Sequence, residues 1–255
     1  MHLQTTTAFL ILLLSSFLTA SNLYPEWFIY QEKYPGVIVG YTYNGRSTVT
    51  DAENMYSAFH ECIAWGTLEI YNETTSNNLL KNSEYYYYFS PDSVKKIQGR
   101  LKKMDAFEVS VFSNDSIAAF YPDSVPNIQI PRFEPGQIEK PLWLSKTFFQ
   151  DTRYYYGVGM YTALGRENDG WKTAEEQGIF AILNGIAIEI HKINITSGRY
   201  PSQDQDEGME QISFFKVRYL LHNIQILERY PDRENKLYYV LVRIPRNGVS
   251  SPFIK

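Results

Sequence analysis

One order of features occurs twice in this chain, and it limits the architecture more than any other property of the sequence. The first pass reads Pro25-Glu-Trp27, then Val37-Ile-Val-Gly40, then a helical run from Ala52 to Ala64. The second reads Lys140-Pro-Leu-Trp143, then Tyr154-Tyr-Tyr-Gly157-Val-Gly159, then a helical run from Trp171 to Leu183. In each, a tryptophan just past a proline pins the entering chain. An apolar strand then closes on glycine, and a helix follows. The offset between matching residues drifts from 116 (Trp27 to Trp143) to 123 (Pro122 to Pro245), which small loop insertions account for. One unit used twice is the economical explanation.

The first unit spans 22–122. Gly36 to Tyr43 is a strand, Gly45-Arg-Ser47 a turn, and Thr50 or Asp51 caps a helix. Ala52, Met55, Tyr56, Phe59, Cys62 and Ile63 form that helix's apolar stripe, and Gly66 ends it. Leu68-Glu-Ile70 reads as a short strand. Ser90-Pro91-Asp92 starts a second helix reaching Met104, with Val94, Ile97, Leu101 and Met104 as a narrow stripe. Phe107, Val109 and Val111, a turn at Ser113 to Ser116, and Ile117 to Tyr121 make a hairpin.

Residues 123–139 form a linker, with prolines at 122, 126, 131, 135 and 141 in and around it, too many for a helix or central strand. The second unit spans 140–246. Tyr154 to Thr162 is its first strand. The helix from Trp171 lines up the small residues Ala174, Gly178, Ala181 and Gly185. Ile188 to Ile195 alternates as a strand with a bulge at His191-Lys192. Glu210 to His222 reads as a helix. Ile224 to Tyr230 and Leu237 to Ile244 close the unit as a hairpin, and 247–255 is a tail. The predicted fold is therefore α+β. It comprises two tandem similar domains, each a small, mostly antiparallel sheet packed by two helices in the order strand, helix, strand, helix, hairpin.

Ala8 to Leu18 is an apolar run of 11 residues, too short to span a bilayer, which needs about 20. It has the length of a secretory core, so 1–21 is predicted to be a signal peptide, although Met1 to Thr7 carries no Lys or Arg. Ser21 stands where a lipoprotein signal would carry its cysteine, and a hydroxyl cannot form the thioether. The expectation is an exported protein, periplasmic or outer-membrane-associated and not lipidated. Cys62, the single cysteine, leaves no internal disulfide and reads as a small buried hydrophobe.

A net charge of −4 argues against a whole-protein nucleic-acid binder. His60, His191 and His222 lack second ligands at metal spacing, and no nucleophile elbow or phosphate loop occurs. Gly157-Val-Gly159 lacks the third glycine of a dinucleotide fingerprint; Thr162 stands there. The acidic stretch Asp204 to Glu210 has its glycine at the fifth position rather than an EF-hand's sixth, and reads as a solvated loop. No cofactor is implied. The strongest binding candidate is the helix Asp92 to Met104, where Lys95, Lys96, Arg100, Lys102 and Lys103 offer a basic face to an anionic polymer or lipid head groups. Tyr85 to Tyr88 adds aromatic area beside it. The plain alternative is an ordinary solvated face.

Pro-x-Trp, Tyr-Tyr-Gly-Val-Gly, the small-residue helix and the ending Leu237-Tyr-Tyr-Val-Leu-Val-Arg-Ile-Pro245 resemble the LPP20 lipoprotein family, relatives of which include the N-terminal domain of a flagellar basal-body ring protein. The resemblance covers Lys140 to Pro245 well and Leu23 to Pro122 in outline. It implies a small α+β envelope domain with no established enzyme chemistry. The expected function is a non-enzymatic interaction or assembly module of the cell envelope. Its expected partner is an envelope protein or an anionic polymer or lipid surface, and a homo-oligomer is admitted. The alternatives are a small-ligand-binding protein or enzyme with its site in the cleft between the units, and a structural subunit of an envelope or motility assembly.

Overall fold

The computed structural model describes residues 23–71, 86–88, 91–109, 115–162, 165–196 and 212–250. The expected signal segment with Ser21, residues 72–85, Val111, the first half of the Ser113 to Ser116 turn, the acidic stretch Asp204 to Glu210 and the last five residues lie outside them.

The described chain runs β1 (Tyr24–Pro25), α1 (Glu26–Ile29), a 3-10 turn (Gln31–Lys33), β2 (Ile38–Tyr41), α2 (Thr48–His60), β3 (Glu61–Tyr71), β4 (Tyr86–Tyr88), α3 (Pro91–Ile97), β5 (Leu101–Glu108) and β6 (Ser116–Pro122). It continues through β7 (Arg132–Phe133), 3-10 turns at Pro135–Gln137 and Leu142–Ser145, β8 (Phe148–Gln150), β9 (Tyr154–Thr162), α4 (Glu167–Thr196), β10 (Ile212–His222), β11 (Gln225–Asp232), β12 (Leu237–Pro245) and β13 (Val249–Ser250). The chain is thus α+β, with antiparallel sheets ordered β2-β6-β5, β11-β12-β9-β8, β13-β10-β3-β4 and the small pair β1-β7. No described helix is long and apolar enough to cross a membrane.

The two halves share a strand order. In each, the strand before the main helix pairs with the last strand of the closing hairpin, giving β2-β6-β5 in one and β9-β12-β11 in the other. Glycine sets the helix distance in both. A Cβ on Gly40 would sit 2.0 Å from the Thr48 carbonyl oxygen, and one on Gly159 would sit 1.8 Å from that of Ala174. Only a hydrogen fits between strand and helix at those points. Both hairpins also bulge at matching places, between Lys103 and Asp105 and between Ile226 and Glu228. The residue after each bulge holds a tryptophan: Trp27 Nε1 donates to Asp105 at 2.8 Å and Trp143 Nε1 to Glu228 at 2.6 Å. Trp27 is fully buried, whereas Trp143 is half-buried.

The halves interlock. β3 pairs with β10 over eleven residues, from Glu61 opposite His222 to Tyr71 opposite Ile212. One core joins Tyr24, Trp27, Phe28 and Phe107 to Trp171, Val240 and Val242. Phe28 meets Trp171 edge-on, ring centroids 5.2 Å apart, so the start of α4 is anchored in the first half. The proline-rich connector is tied down where Phe133 and Arg132 bridge Tyr24 and Pro25.

Several expected elements differ. The first helix is capped by Ser47, whose hydroxyl accepts from the Thr50 N–H, rather than by Thr50 or Asp51. It ends at His60, and Cys62, Ile63 and Gly66 belong to β3, whose ladder with β10 outweighs the helical spacing. Cys62 remains buried, and burial pushes its thiol up to about 12. The second helix stops at Ile97 because Gly99 turns left-handed (φ 74°), so Leu101 to Met104 open β5 instead. Ile188 to Ile195 continues α4, since neither glycine nor proline follows Gly185 to break it. Glu210 to His222 was expected as a helix, but Ile212–His222 is the strand β10. His191 is therefore helical and His222 ends a strand. Among its described residues the second half has one long helix, and the second expected helix is a strand.

Candidate functional site

Five side chains meet at the seam between the halves. Tyr41 lies on β2 and Asp51 on α2; Lys172 and Glu175, three apart on α4, project from one face; Arg229 comes from β11. Asp51 accepts the Tyr41 N–H at 3.0 Å and the Lys172 ammonium at 3.2 Å. Glu175 accepts the Tyr41 hydroxyl at 2.5 Å and Arg229 at 2.6 and 3.2 Å. Arg229 also donates to the Phe28 carbonyl and to Gln31 Oε1, each at 2.8 Å, with its guanidinium 4.5 Å from the Phe28 ring centre. All four charged groups are 3% exposed or less. Burial and the neighbouring Glu175 carboxylate, opposed by Arg229, hold the Tyr41 hydroxyl well above its usual range. Two anions and two cations with their bonds made compensate each other in a low dielectric. Shut off from solvent and drawn from both halves, the cluster fastens one half to the other.

Above this cluster lies a cleft of about 410 Å³. One wall is Gln31, Glu32 and Tyr34 to Val39, the turn leading into β2 and the start of that strand; another is Met55, Tyr56, Phe59 and His60 of α2; the third is Asn223 to Leu227, entering β11, with Arg243. Tyr56 and His60 stack with rings 5° from parallel, 6.4 Å apart. The third wall is held to α2 by the Ile224 and Asn223 N–H groups, which donate to the Phe59 and His60 carbonyls. Arg243 Nε donates to Gln225 at 2.7 Å. Gln31 lines the cleft and also takes the bond from Arg229, so the cleft wall is braced by the buried cluster.

Glu32, on the cleft wall, lies near enough to Glu228 for its charge to act on that carboxyl. Burial raises the Glu228 carboxyl above the usual range, the bond from Trp143 draws it back, and the charge on Glu32 raises it again. A carboxyl pair of this kind is the raw material of acid–base catalysis. The first half carries the same tryptophan–carboxylate contact, where Asp105 accepts from Trp27 and, through both oxygens, from Arg132 Nη2, each at 2.8 Å. That recurrence, away from the cleft, makes the contact a clasp for the 3-10 or α turn that holds the tryptophan.

The five expected cations do not share a helix face. Lys95 and Lys96 are on α3, Arg100 is in the following turn, and Lys102 and Lys103 are consecutive on β5, pointing to opposite sides of the sheet. Lys95 pairs with Asp92 at 3.0 Å, and Arg100 grips Asp123 at 2.5 and 3.0 Å, which holds that carboxyl below its usual range. Lys96, Lys102 and Lys103 are exposed. Among the described residues no group of three or more His, Cys, Asp or Glu is placed to hold a metal ion. Sequence reasoning missed Glu32, Glu228 and the buried cluster. Each comes from a different part of the chain, and only the Trp27/Trp143 pairing hinted at matching acceptors. No family model, curated protein or solved structure matches this chain.

Proposed function

We propose that this protein is an exported, non-enzymatic interaction module of the cell envelope, related to the LPP20 lipoprotein family through two copies of one unit, and that it binds its partner in the cleft between them. The observation that carries the reading is the braced cleft, with walls from both halves and a lining residue, Gln31, bonded to the buried Arg229. A preformed recess of mixed character at a seam is where ligands are usually taken. The recurring strand order, glycine contacts and tryptophan clasps support the two-copy reading. The stretches that carry the family resemblance, Tyr154 to Gly159 and Leu237 to Pro245, are paired neighbours in one sheet. Lys96, Lys102 and Lys103 supply weaker, salt-sensitive attraction to an anionic surface.

The test uses Glu32→Cys carrying an environment-sensitive fluorophore. Cys62 is buried, with its thiol pushed up to about 12, so labelling is confined to the cleft. Fractions of cell envelope should include one that shifts the fluorescence saturably. If no membrane, wall-polymer or periplasmic fraction does so, the cleft is not a binding site.

A further inference from the structure

β2 and β11 are each the outermost strand of their sheets. The cleft is lined by runs of consecutive residues, Gly36 to Val39 on one side and Asn223 to Leu227 on the other. Consecutive residues of a strand point to opposite faces. Ile38 packs with Ala52 and Ile97 on one side, while Val39 joins the main core on the other. A recess bordered by both therefore runs along the edge of the strand.

The Thr42 N–H donates to Ser116 of β6. By alternation, Ile38 and Gly40 also bond inward, and Val37, Val39 and Tyr41 turn their polar groups outward. Local groups take both polar groups of Val37 and the N–H of Tyr41: Val37 N–H reaches the Tyr34 carbonyl, Gln31 Nε2 reaches the Val37 carbonyl, and Asp51 takes the Tyr41 N–H. Among the described residues nothing takes the N–H or carbonyl of Val39, itself buried.

The second half shows what belongs there. With Gly40 matched to Gly159, Val39 corresponds to Val158, whose N–H donates to the Thr147 carbonyl at 2.9 Å. That bond starts the pairing of β8 with β9, where Phe148, Phe149 and Gln150 lie opposite Gly157, Tyr156 and Tyr155. So among the described residues one sheet has four strands and the other three, and the cleft occupies the place that β8 takes in the second half. The chain that would fill it, ahead of β2, is wound into α1 and the Gln31–Lys33 turn instead.

Resting on the cleft reading above, we infer that the occupant is an extended, aromatic-rich peptide segment of a partner protein, added to β2 as a fourth antiparallel strand. Strand addition takes affinity from main-chain bonds, here centred on Val39, and selectivity from alternate side chains. The resident β8 predicts aromatic ones.

The probe is a synthetic peptide of this chain's own Lys146 to Asp151 (Lys-Thr-Phe-Phe-Gln-Asp), with a control N-methylated at Thr147 and Phe149. The plain peptide should bind, slow hydrogen exchange at the Val39 amide, and bind about tenfold more tightly than the control, as loss of about one net hydrogen bond implies. Equal binding of the two, or binding that leaves the Val39 amide unchanged, overturns strand addition while leaving the cleft as a site. If neither peptide binds, a fluorescence shift of the cleft-labelled protein with an envelope fraction sinks strand addition alone; its absence sinks both readings. A peptide-free dimer with protected Val39 would identify the occupant as a second copy and overturn the partner assignment.

Discussion

Removing Glu175 should be among the most damaging single changes in this protein. Its carboxylate takes two bonds from Arg229 and one from Tyr41, all in the interior. In Glu175→Leu the guanidinium keeps only the Phe28 carbonyl and Gln31 Oε1, both neutral. An ion stranded in the interior by loss of its partner costs about 3–5 kcal/mol. For a chain of this size each kcal/mol moves the melting temperature by about 2–4 °C, so the expected loss is roughly 6–20 °C. Replacing both ions, in Glu175→Leu with Arg229→Met, removes the stranded charge and should return to within about 1 kcal/mol of the parent. Urea unfolding of the parent, both single variants and the double variant gives the coupling directly, provided the m-value is unchanged. The reasoning is refuted if Glu175→Leu loses less than 1 kcal/mol, or if the double variant loses the sum of the singles.

Gly159→Ala should cost more than about 3 kcal/mol or abolish soluble expression, because its methyl would collide with helix backbone. Gly136→Ala, with nothing within 4 Å, should be neutral in the same urea titration. Trp27→Ala should lose about 3–5 kcal/mol, and Trp143→Ala distinctly less because its ring is only half-buried. The raised Glu228 carboxyl contributes most below the unfolded pKa of about 4.3, and that contribution is lost as pH rises through the higher folded value. Glu228→Gln should therefore melt above the parent at pH 7, with the difference closing below about pH 4; an equal shift at all pH values would contradict the assignment. Changing Lys95, Lys96, Arg100, Lys102 and Lys103 to Gln should leave the melting temperature nearly unchanged and lower salt-sensitive binding to anionic vesicles. Parent protein that shows no such binding would reduce these cations to solvation.

Local signals were readable where one decision settled them. The strand Tyr154 to Thr162, the Leu237 to Pro245 strand and the turn between it and β11 follow from alternation and turn residues alone. The spacing Val94, Ile97, Leu101, Met104 fits one stripe only by running through Gly99, and a glycine one residue past a basic turn is itself a stop signal. Ile188 to Ile195 alternates, but a helix already nucleated at Glu167 extends at little cost through residues that do not break it. β10 owes its form to β3, some 150 residues away, and no short window contains that partner. The buried charges were illegible for the same reason. Asp51, Lys172, Glu175 and Arg229 each look like a solvated residue until tertiary structure brings the other three.

The β3–β10 ladder also dictates an order of folding. The first half reaches its main helix within sixty residues, yet the strand leaving that helix has its long partner only at Ile212 to His222. During synthesis, most of the chain must emerge before β10 can cover β3 along that side. Such a long closure is slow and leaves an uncovered edge open to mispairing meanwhile. Two copies emerging side by side can satisfy each other's β3 and β10 first, so the same ladder that joins the two halves of one chain is also a route to an entangled dimer.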